Sequence, residues 1–363
     1  FKGSELWTGL RMPALPVTPH ARTERYIRYF GESPEGRKLF ARVLRRSGRY
    51  RDAILRTLRE RALPVELLAV AFVESAFIPE AESPAGAMGL WQFMPHTGRA
   101  YGLVVDKHVD ERRNPWTATD AAIRHLGDLH RRFGTWEEAI AAYNLGYKGL
   151  VDRMEQTSTS NFWALCDVPD ALPTETALYV PKVMAVATIL ANLDRFGFDD
   201  VELLPSVAAV EVEGAAGQRL SLIARAAGTS VRTLRQLNPD LLGSGVPGQS
   251  TGGILASVST SSSSSSRRIR IPSRGFGRFG VMIGPLSEDA ERDQIDTKVA
   301  AEFDWGKDEL LPGLAGRGLG TSKHGKDRGS KDTDEPPTRR NEAPTPFPAP
   351  AGPAAPRAST PAL

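Results

Sequence analysis

Residues 71–102 read AFVESAFIPEAESPAGAMGLWQFMPHTGRAYG, and this stretch decides the fold that we expect. An apolar helix that opens at Pro64, an allowed first-turn proline, is predicted to end at Glu74 or Ser75. A loop with glycines then leads into residues 90–94, LWQFM. The pattern places one carboxylate at the end of a buried helix, directly before a loop.

The position of Glu74 favours a raised pKa. Desolvation on an apolar helix and the negative end of the helix dipole both disfavour the ionised carboxylate. A carboxylic acid that stays protonated near neutral pH is what general-acid cleavage of a glycosidic bond requires. The alternative is a Glu on a solvated helix edge, which is the more common situation for a single Glu.

The surroundings of Glu74 favour the catalytic alternative. Residues 90–94 form a strip of polar and flat apolar side chains of the kind that lines a sugar groove, and nearby glycines let the backbone approach a bulky substrate. Polar groups that can converge on such a groove are Ser83, Gln92, Tyr143, Asn144, Glu175 and Tyr179, the last two spaced i, i+4 on one helix.

Residues 22–193 read as a run of helices, so this region is predicted to be mainly α. Residues 37–61 indicate two amphipathic helices around a break at Gly48. Two capping boxes, Thr117 with Asp120 and Thr135 with Glu138, predict helices that begin near residues 118 and 136. A last long helix over residues 175–193 contains Pro181 and is expected to bend there.

The pattern changes after residue 198. Residues 207–212 alternate like a strand, residues 220–227 and 230–237 resemble two short helices, and residues 267–272 (RRIRIP) fit a returning strand. Residues 251–266 are a serine-rich tract with too little apolar surface to fold. Nine of the 27 prolines follow residue 335, and residues 273–363 are expected to be a disordered tail.

Composition excludes several functional classes. The 363 residues suit two or three domains, and a net charge of +3 with a pI near 9.0 is too mild for nucleic-acid binding. One cysteine, Cys166, excludes an internal disulfide and a multi-cysteine metal site. We therefore expect no metal and no cofactor, and His125 and His130, five residues apart, have the wrong spacing to share a metal.

Two further patterns point to no chemistry of their own. The longest uncharged apolar run, residues 183–193, is about half the ~20 residues of a membrane-spanning helix. Residues 320–327 imitate a phosphate-binding loop but have Asp327 where a Mg²⁺-binding Ser or Thr is needed.

Four motifs in order resemble family 1 lytic transglycosylases. They are Glu74-Ser75, residues 89–92 (GLWQ), residues 142–144 (AYN) and Tyr179. The flanking sequence over residues 23–195 looks like the membrane-bound lytic murein transglycosylase D type. The departure is Trp91, where the family usually has Met, and Trp keeps a flat apolar wall there.

This resemblance implies a lysozyme-like (SLT) catalytic domain, residues 23–198, after an N-terminal extension of residues 1–22. It implies cleavage of the β-1,4 bond between N-acetylmuramic acid and N-acetylglucosamine in peptidoglycan, leaving a 1,6-anhydromuramoyl end. Glu74 would be the catalytic acid and base. The implied substrate contacts are Ser75, Ser83, Gln92, Met94, Tyr143, Asn144, Glu175 and Tyr179. We find no second carboxylate clearly paired with Glu74.

Residues 207–272 resemble a LysM repeat, a small βααβ module that binds N-acetylglucosamine chains. The usual Gly-Asp-Thr turn is absent, since residues 214–218 read GAAGQ, and the serine-rich tract precedes the last strand. The whole chain is thus expected to be a mainly α catalytic domain, an α+β LysM-like module and a disordered tail.

The expected partner is peptidoglycan, and the expected location is the periplasm, with a membrane tether through an N-terminal segment that precedes Phe1. Two alternatives stay open at this point. One is a lysozyme-like muramidase that uses the same fold and acid with water as nucleophile. The other is a non-catalytic peptidoglycan-binding protein.

Overall fold

The computed structural model describes residues 5–247 and 266–273. The serine-rich tract up to residue 265, the tail from residue 274 and the phosphate-loop imitation lie outside the described residues.

The described part of the chain before residue 200 is built of helices. A short 3₁₀ helix, Glu5–Trp7, precedes α1. The α-helices are α1 (Ala21–Glu32), α2 (Pro34–Ser47), α3 (Arg51–Glu60), α4 (Leu68–Ser75), α5 (Pro95–Ala100), α6 (Pro115–Phe133), α7 (Trp136–Leu145), α8 (Tyr147–Thr157), α9 (Phe162–Asp167) and α10 (Thr174–Leu190). Further 3₁₀ turns, Val65–Leu67 and Glu111–Arg113, precede α4 and α6. The prediction of a mainly α region is confirmed.

Helix α10 forms the centre of this region. Almost every side chain from Leu178 to Ile189 is buried, although Pro181 removes one backbone donor from the middle of the helix. A helix that is apolar on all sides is stable only when it is surrounded, and α10 packs against α1, α4 and α7. The three helices that carry Glu74, Tyr143 and Tyr179 are therefore neighbours in space.

The N-terminal extension lies along this helical region. Leu15 is completely buried, and Glu66 accepts hydrogen bonds from the backbone N–H groups of Ala14 and Leu15. The amide of Asn192 exchanges two hydrogen bonds with the backbone of Arg11, at 2.7 and 2.8 Å. These contacts tie the extension to the turn before α4 and to the residues that follow α10.

The predicted helix starts are partly correct. The break at Gly48 and the start of α7 after Thr135 are confirmed. The Thr117–Asp120 capping box is wrong, because α6 begins three residues earlier. Its N-cap is Asn114, whose Oδ1 accepts the N–H groups of Trp116 and Thr117, at 3.1 and 3.3 Å. An Asn before a first-turn proline is the stronger start signal.

Residues beyond 208 form a second, smaller arrangement of four elements. Strand β1 (Ala209–Ala215) pairs antiparallel with strand β2 (Ser266–Pro272), with Val210 opposite Ile271. Between them in the chain lie helices α11 (Leu220–Ala226) and α12 (Val231–Leu237). The predicted order of strand, two helices and strand is confirmed, and we call these four elements the βααβ module. The likeness to LysM stays a prediction.

Candidate active site

Glu74 lies in the last turn of α4, facing the hydroxyl of a tyrosine on α10. The phenol of Tyr179 donates a hydrogen bond of 2.5 Å to Oε1 of Glu74. Tyr179 is itself buried, and the Glu74 side chain is partly exposed. The central helix thus holds one oxygen of the carboxyl group in place.

Burial raises the pKa of Glu74 from 4.5 to about 8. The hydrogen bond from Tyr179 opposes this shift because it stabilises the ionised form, and the negative charge of Glu175 adds to it. The shift has the direction that the sequence predicts, with desolvation as its largest cause. At neutral pH most molecules carry a protonated Glu74.

Tyr143, near the end of α7, lies against the same group. Its hydroxyl donates to the backbone carbonyl oxygen of Trp91, at 2.8 Å. Burial, and then the charge of Glu74, raises the pKa of the Tyr143 phenol. Tyr143 therefore connects α7 to the loop that follows α4, and it stays neutral beside the acid.

Asn144 joins α7 to the first turn of α10. Its Nδ2 donates to Oε1 of Glu175 at 3.1 Å, and its Oδ1 accepts from the hydroxyl of Thr176 at 2.8 Å. Glu175 is exposed, and its charge acts on Glu74. The structure brings these two predicted binding residues together.

Ser83 and Gln92 lie on residues 82–93, which we call the groove loop. Ser83 closes a tight turn, since its hydroxyl oxygen accepts the N–H of Ala87 at 3.0 Å. The Nε2 of Gln92 donates to two backbone oxygens, those of Ala81 and Gly89, at 3.0 and 2.9 Å. Both side chains are partly exposed, and the carbonyl oxygen of the Gln92 amide is the group that can accept from a sugar.

The conformation of the groove loop depends on Gly89. Its φ of +85° is in the left-handed region, and a Cβ there would lie 1.8 Å from the carbonyl oxygen of Arg112. No side chain fits at that distance, so only glycine allows this close approach. Gln92 has a φ of +47° and so also adopts the left-handed region, although a residue with a Cβ is strained there. This strained backbone indicates that contacts with the rest of the fold constrain the loop.

Two residues from the predicted groove are instead buried. The hydroxyl of Ser75 donates to the carbonyl oxygen of Leu90 at 2.8 Å, so it ties α4 to the groove loop. Trp91 is fully buried, and its Nε1 donates to the hydroxyl of Thr119 on α6 at 2.9 Å. The expectation that Trp91 supplies a flat wall of the groove is wrong.

Met94 is partly exposed at the N-cap of α5, directly after the groove loop.

His125 and His130, which the sequence analysis did not assign to a metal site, pack against aromatic rings. The ring of His125 lies 5.2 Å from that of Tyr143, burial lowers its pKa to about 4, and His130 stacks on Trp136.

One residue that contacts the groove loop was missed by the sequence analysis. Arg112 is buried, and its Nη1 donates to the carbonyl oxygens of Gly86 and Phe93, at 2.8 and 2.9 Å. Its only local signal is its place in the charged run 110–113, DERR, which resembles a solvated turn. Burial of this arginine follows from tertiary contacts that no periodicity reveals.

Within residues 5–247 and 266–273, no three His, Cys, Asp or Glu side chains gather so as to hold a metal ion. In the same residues, no helix combines the length and the apolar character that a bilayer crossing needs. Cys166 is half-buried, and burial raises the pKa of its thiol to about 11.

Parts of the chain are similar to known proteins. Residues 53–166 match the family described as "Transglycosylase SLT domain". The chain is 36% identical over 191 residues to the membrane-bound lytic murein transglycosylase D of Escherichia coli strain K12, a match that spans 51% of this chain and 41% of that relative. The chain therefore matches less than half of that relative's length.

Two further similarities cover smaller shares of the chain. Over 133 residues it is 43% identical to the peptidoglycan transglycosylase gp16 of Escherichia phage T7, covering 35% of this chain and 10% of that protein. The crystal structure of the 70 kDa soluble lytic transglycosylase of Escherichia coli aligns with a TM-score of 0.34 at 25% identity, covering 42% of this chain and 26% of that one.

Proposed function

Because the chain carries a transglycosylase SLT domain, we propose that it is a peptidoglycan lytic transglycosylase. It would cleave the β-1,4 bond between N-acetylmuramic acid and N-acetylglucosamine without water and leave a 1,6-anhydromuramoyl end. The observation that carries this proposal is the single carboxyl group of Glu74, held by Tyr179 and protonated at neutral pH because its pKa is raised to about 8.

The reaction needs one group that first gives a proton and then takes one back. Protonated Glu74 donates its proton to the glycosidic oxygen as the bond from that oxygen to the muramoyl C1 breaks. The C6 hydroxyl of the same sugar then attacks C1, and its proton returns to the Glu74 carboxylate. The proton transfers balance, because Glu74 is protonated again at the end of the turnover.

The positions of the other side chains suit this sequence of steps. The hydrogen bond from Tyr179 stabilises the carboxylate that exists between the two proton transfers. Ser83, Gln92 and Glu175 are partly or fully exposed and would bind the sugar's hydroxyl and N-acetyl groups. Asn144 and Ser75 would act by holding Glu175 and the groove loop.

The environment of Glu175 argues against a double-displacement hydrolase. Its charge raises the pKa of Glu74, and Asn144 holds one of its oxygens on the exposed start of α10. In a retaining glycosidase the nucleophilic carboxylate attacks C1 of the sugar. In this reaction the substrate's own N-acetyl group can stabilise C1 instead, so no second carboxylate is needed. We therefore assign Glu175 to substrate binding.

The product end tests the proposal. Purified peptidoglycan is digested with the full chain, and the fragments are analysed by mass spectrometry. We expect 1,6-anhydromuramoyl ends from the wild type, and a loss of at least about 100-fold in rate for Glu74→Gln, which keeps the hydrogen bond from Tyr179. Reducing ends would support a muramidase instead. No turnover, with binding to insoluble peptidoglycan unchanged by Glu74→Gln, would support a purely binding protein.

We propose the periplasm as the place of action, since the substrate lies outside the cytoplasmic membrane, and a membrane tether upstream of Phe1, as the name of the Escherichia coli relative suggests. We also propose that the βααβ module adds affinity for N-acetylglucosamine chains, which its order of elements supports. Chitin oligosaccharides should then compete with binding of Glu74→Gln to insoluble peptidoglycan. Binding that these oligosaccharides leave unchanged would contradict this role.

A further inference from the structure

The segment between α5 and α6, residues 104–114, is shared by the helical domain and the βααβ module. Val109 is 2% exposed and packs in the module's apolar core with residues of α11, α12 and β2. The backbone pairs as well, since the N–H of Asp110 donates to the carbonyl oxygen of Asp240 at 2.9 Å. On the other side of Val109, the N–H of Leu242 donates to the backbone carbonyl oxygen of His108 at 3.0 Å.

Charged side chains reinforce this junction. The Nη2 of Arg267, on β2, lies 2.5 Å from Oε1 of Glu111 and 3.2 Å from Oδ2 of Asp240. Asp240 also accepts from Nδ2 of Asn114, at 3.1 Å. The Arg267 side chain is 12% exposed, so its removal would leave two carboxylates close together and poorly solvated.

The next residue in the segment, Arg112, faces the groove loop. Its Nε and Nη2 make a two-pronged pair with the carboxylate of Asp110, at 2.9 and 2.7 Å. Its Nη1 donates to the carbonyl oxygens of Gly86 and Phe93. A planar guanidinium can make all of these bonds at once, and an ammonium group cannot.

The two carbonyl groups belong to the parts of the loop that carry the sugar-binding side chains. Gly86 lies in the turn that Ser83 closes, because its N–H donates to the carbonyl oxygen of Ser83 at 2.9 Å. Phe93 directly follows Gln92 and pairs with Met88 in both directions, at 3.1 Å. A shift of Arg112 therefore moves both halves of the loop.

We propose that Arg112 is a positioning residue for the groove loop, and that the βααβ module holds Arg112 in place through Asp110 and Glu111. The module then supports catalysis as well as adding affinity for glycan. The proposal rests on the proposed transglycosylase activity. It assigns to the pair Arg267–Glu111 an effect on substrate binding at a site in the other part of the fold.

The test uses the full chain and measures kcat and KM on purified peptidoglycan fragments. The variants are Arg112→Lys, which keeps the charge and loses the fork, and Arg267→Gln, which loosens the junction. Arg268→Gln is the matched control, because Arg268 is 80% exposed on the same strand and pairs only loosely with Glu211, at 3.6 Å. Thermal unfolding reports whether each variant is folded.

Small displacements of binding groups are costly, so we expect kcat/KM to fall about tenfold in Arg112→Lys and about threefold in Arg267→Gln, largely through a higher KM. Because Glu74 must be protonated to start the reaction, we expect kcat/KM to decline above about pH 8 in the wild type. Both variants should show this decline at the same pH. Loss of folded protein alone would lower kcat and leave KM unchanged.

Wild-type KM in folded Arg267→Gln would overturn the role of the module, and wild-type KM in Arg112→Lys would overturn the positioning role. Should Arg112→Lys not fold, Arg267→Gln still decides the role of the module. An equal rise in KM for the Arg268→Gln control would also contradict the proposal, because it would reflect charge alone. Absence of anhydro products from the wild type would instead overturn the proposed function.

Discussion

The hydroxyl of Tyr179 donates to Oε1 of Glu74 across 105 residues of sequence, at 2.5 Å. This hydrogen bond acts against the desolvation that raises the pKa of the acid. The balance of the two leaves the pKa near 8, which suits a group that must lose and regain a proton in each turnover.

The first prediction concerns activity as a function of pH. Glu74 must be protonated to start the reaction, and its pKa of about 8 places the loss of the proton above neutrality. We expect kcat/KM to be level between about pH 6 and 7 and to fall tenfold per pH unit above about pH 9. Initial rates on purified peptidoglycan fragments in buffers of constant ionic strength measure this. A decline centred near pH 5 would contradict the assignment.

The second prediction concerns the effect of the Tyr179 hydrogen bond on the pKa of Glu74. Tyr179→Phe removes a hydrogen bond that favours the ionised carboxylate, so the pKa of Glu74 should rise further, by about one unit. The decline in kcat/KM should move to higher pH, while the rate at pH 7 falls about tenfold because the carboxyl group is less well held.

Tyr143→Phe is the control for this experiment, since Tyr143 donates to the Trp91 carbonyl oxygen and not to Glu74. Its decline should stay near pH 8. If both variants shift the decline equally, the hydrogen bond from Tyr179 is not the cause.

The third prediction concerns stability. The pKa of Glu74 is higher in the folded chain than its ordinary value of 4.5, so between pH 4.5 and 8 the folded state binds more protons than the unfolded state. The free energy of unfolding therefore falls with rising pH in this window, by up to about 1.4 kcal/mol per unit. The Glu74→Gln variant cannot ionise at this position, so its free energy of unfolding should not fall in this way.

Denaturant unfolding of the wild type and of Glu74→Gln at pH 5, 6.5 and 8 measures the difference. The variant should gain stability relative to the wild type as pH rises, with the gain levelling off above about pH 8. A constant difference across this range would show that Glu74 is already ionised at pH 5 in the folded chain.

The fourth prediction tests the buried position of Trp91. Trp91→Phe leaves a cavity in the core and removes the hydrogen bond to Thr119, and it should lower the free energy of unfolding by about 2 kcal/mol. Denaturant unfolding monitored by far-UV circular dichroism measures this loss.

The matched control is Trp163→Phe, because Nε1 of Trp163 is buried and has no hydrogen-bond partner among the described residues. Its loss should be smaller. Equal losses would mean that the Thr119 hydrogen bond contributes nothing, and an unchanged stability of Trp91→Phe would contradict the burial of this side chain.

Sequence patterns predicted most of the helices because the signals are local. The break at Gly48, the apolar run before Glu74 and the start of α7 after Thr135 each depend on residues within one or two turns. The predicted start of α6 was wrong because Thr117 and Asp120 fit the pattern of a capping box, whereas Asn114, three residues before Thr117, is the N-cap. Local rules rank such signals without knowing which one the packing uses.

Side-chain placement in the groove loop was predicted less well. Residues 90–94 contain one polar residue among four apolar ones, and the sequence offers no period that separates a partly exposed Gln92 from a buried Trp91. The direction of each side chain there depends on Gly89, whose close approach to the Arg112 carbonyl oxygen bends the backbone. The contact joins residues 23 positions apart in the chain.

Residue patterns alone predicted the order of helices and strands, the position of Glu74 at the end of an apolar helix and the direction of its pKa shift, since each depends on near neighbours in the chain. Tertiary structure alone decided that Tyr179 meets Glu74, that Ser75 and Trp91 are buried, and that the segment around Arg112 joins the βααβ module to the groove loop. Each of these contacts joins residues 15 or more positions apart in the chain, so no rule that depends on near neighbours can predict it.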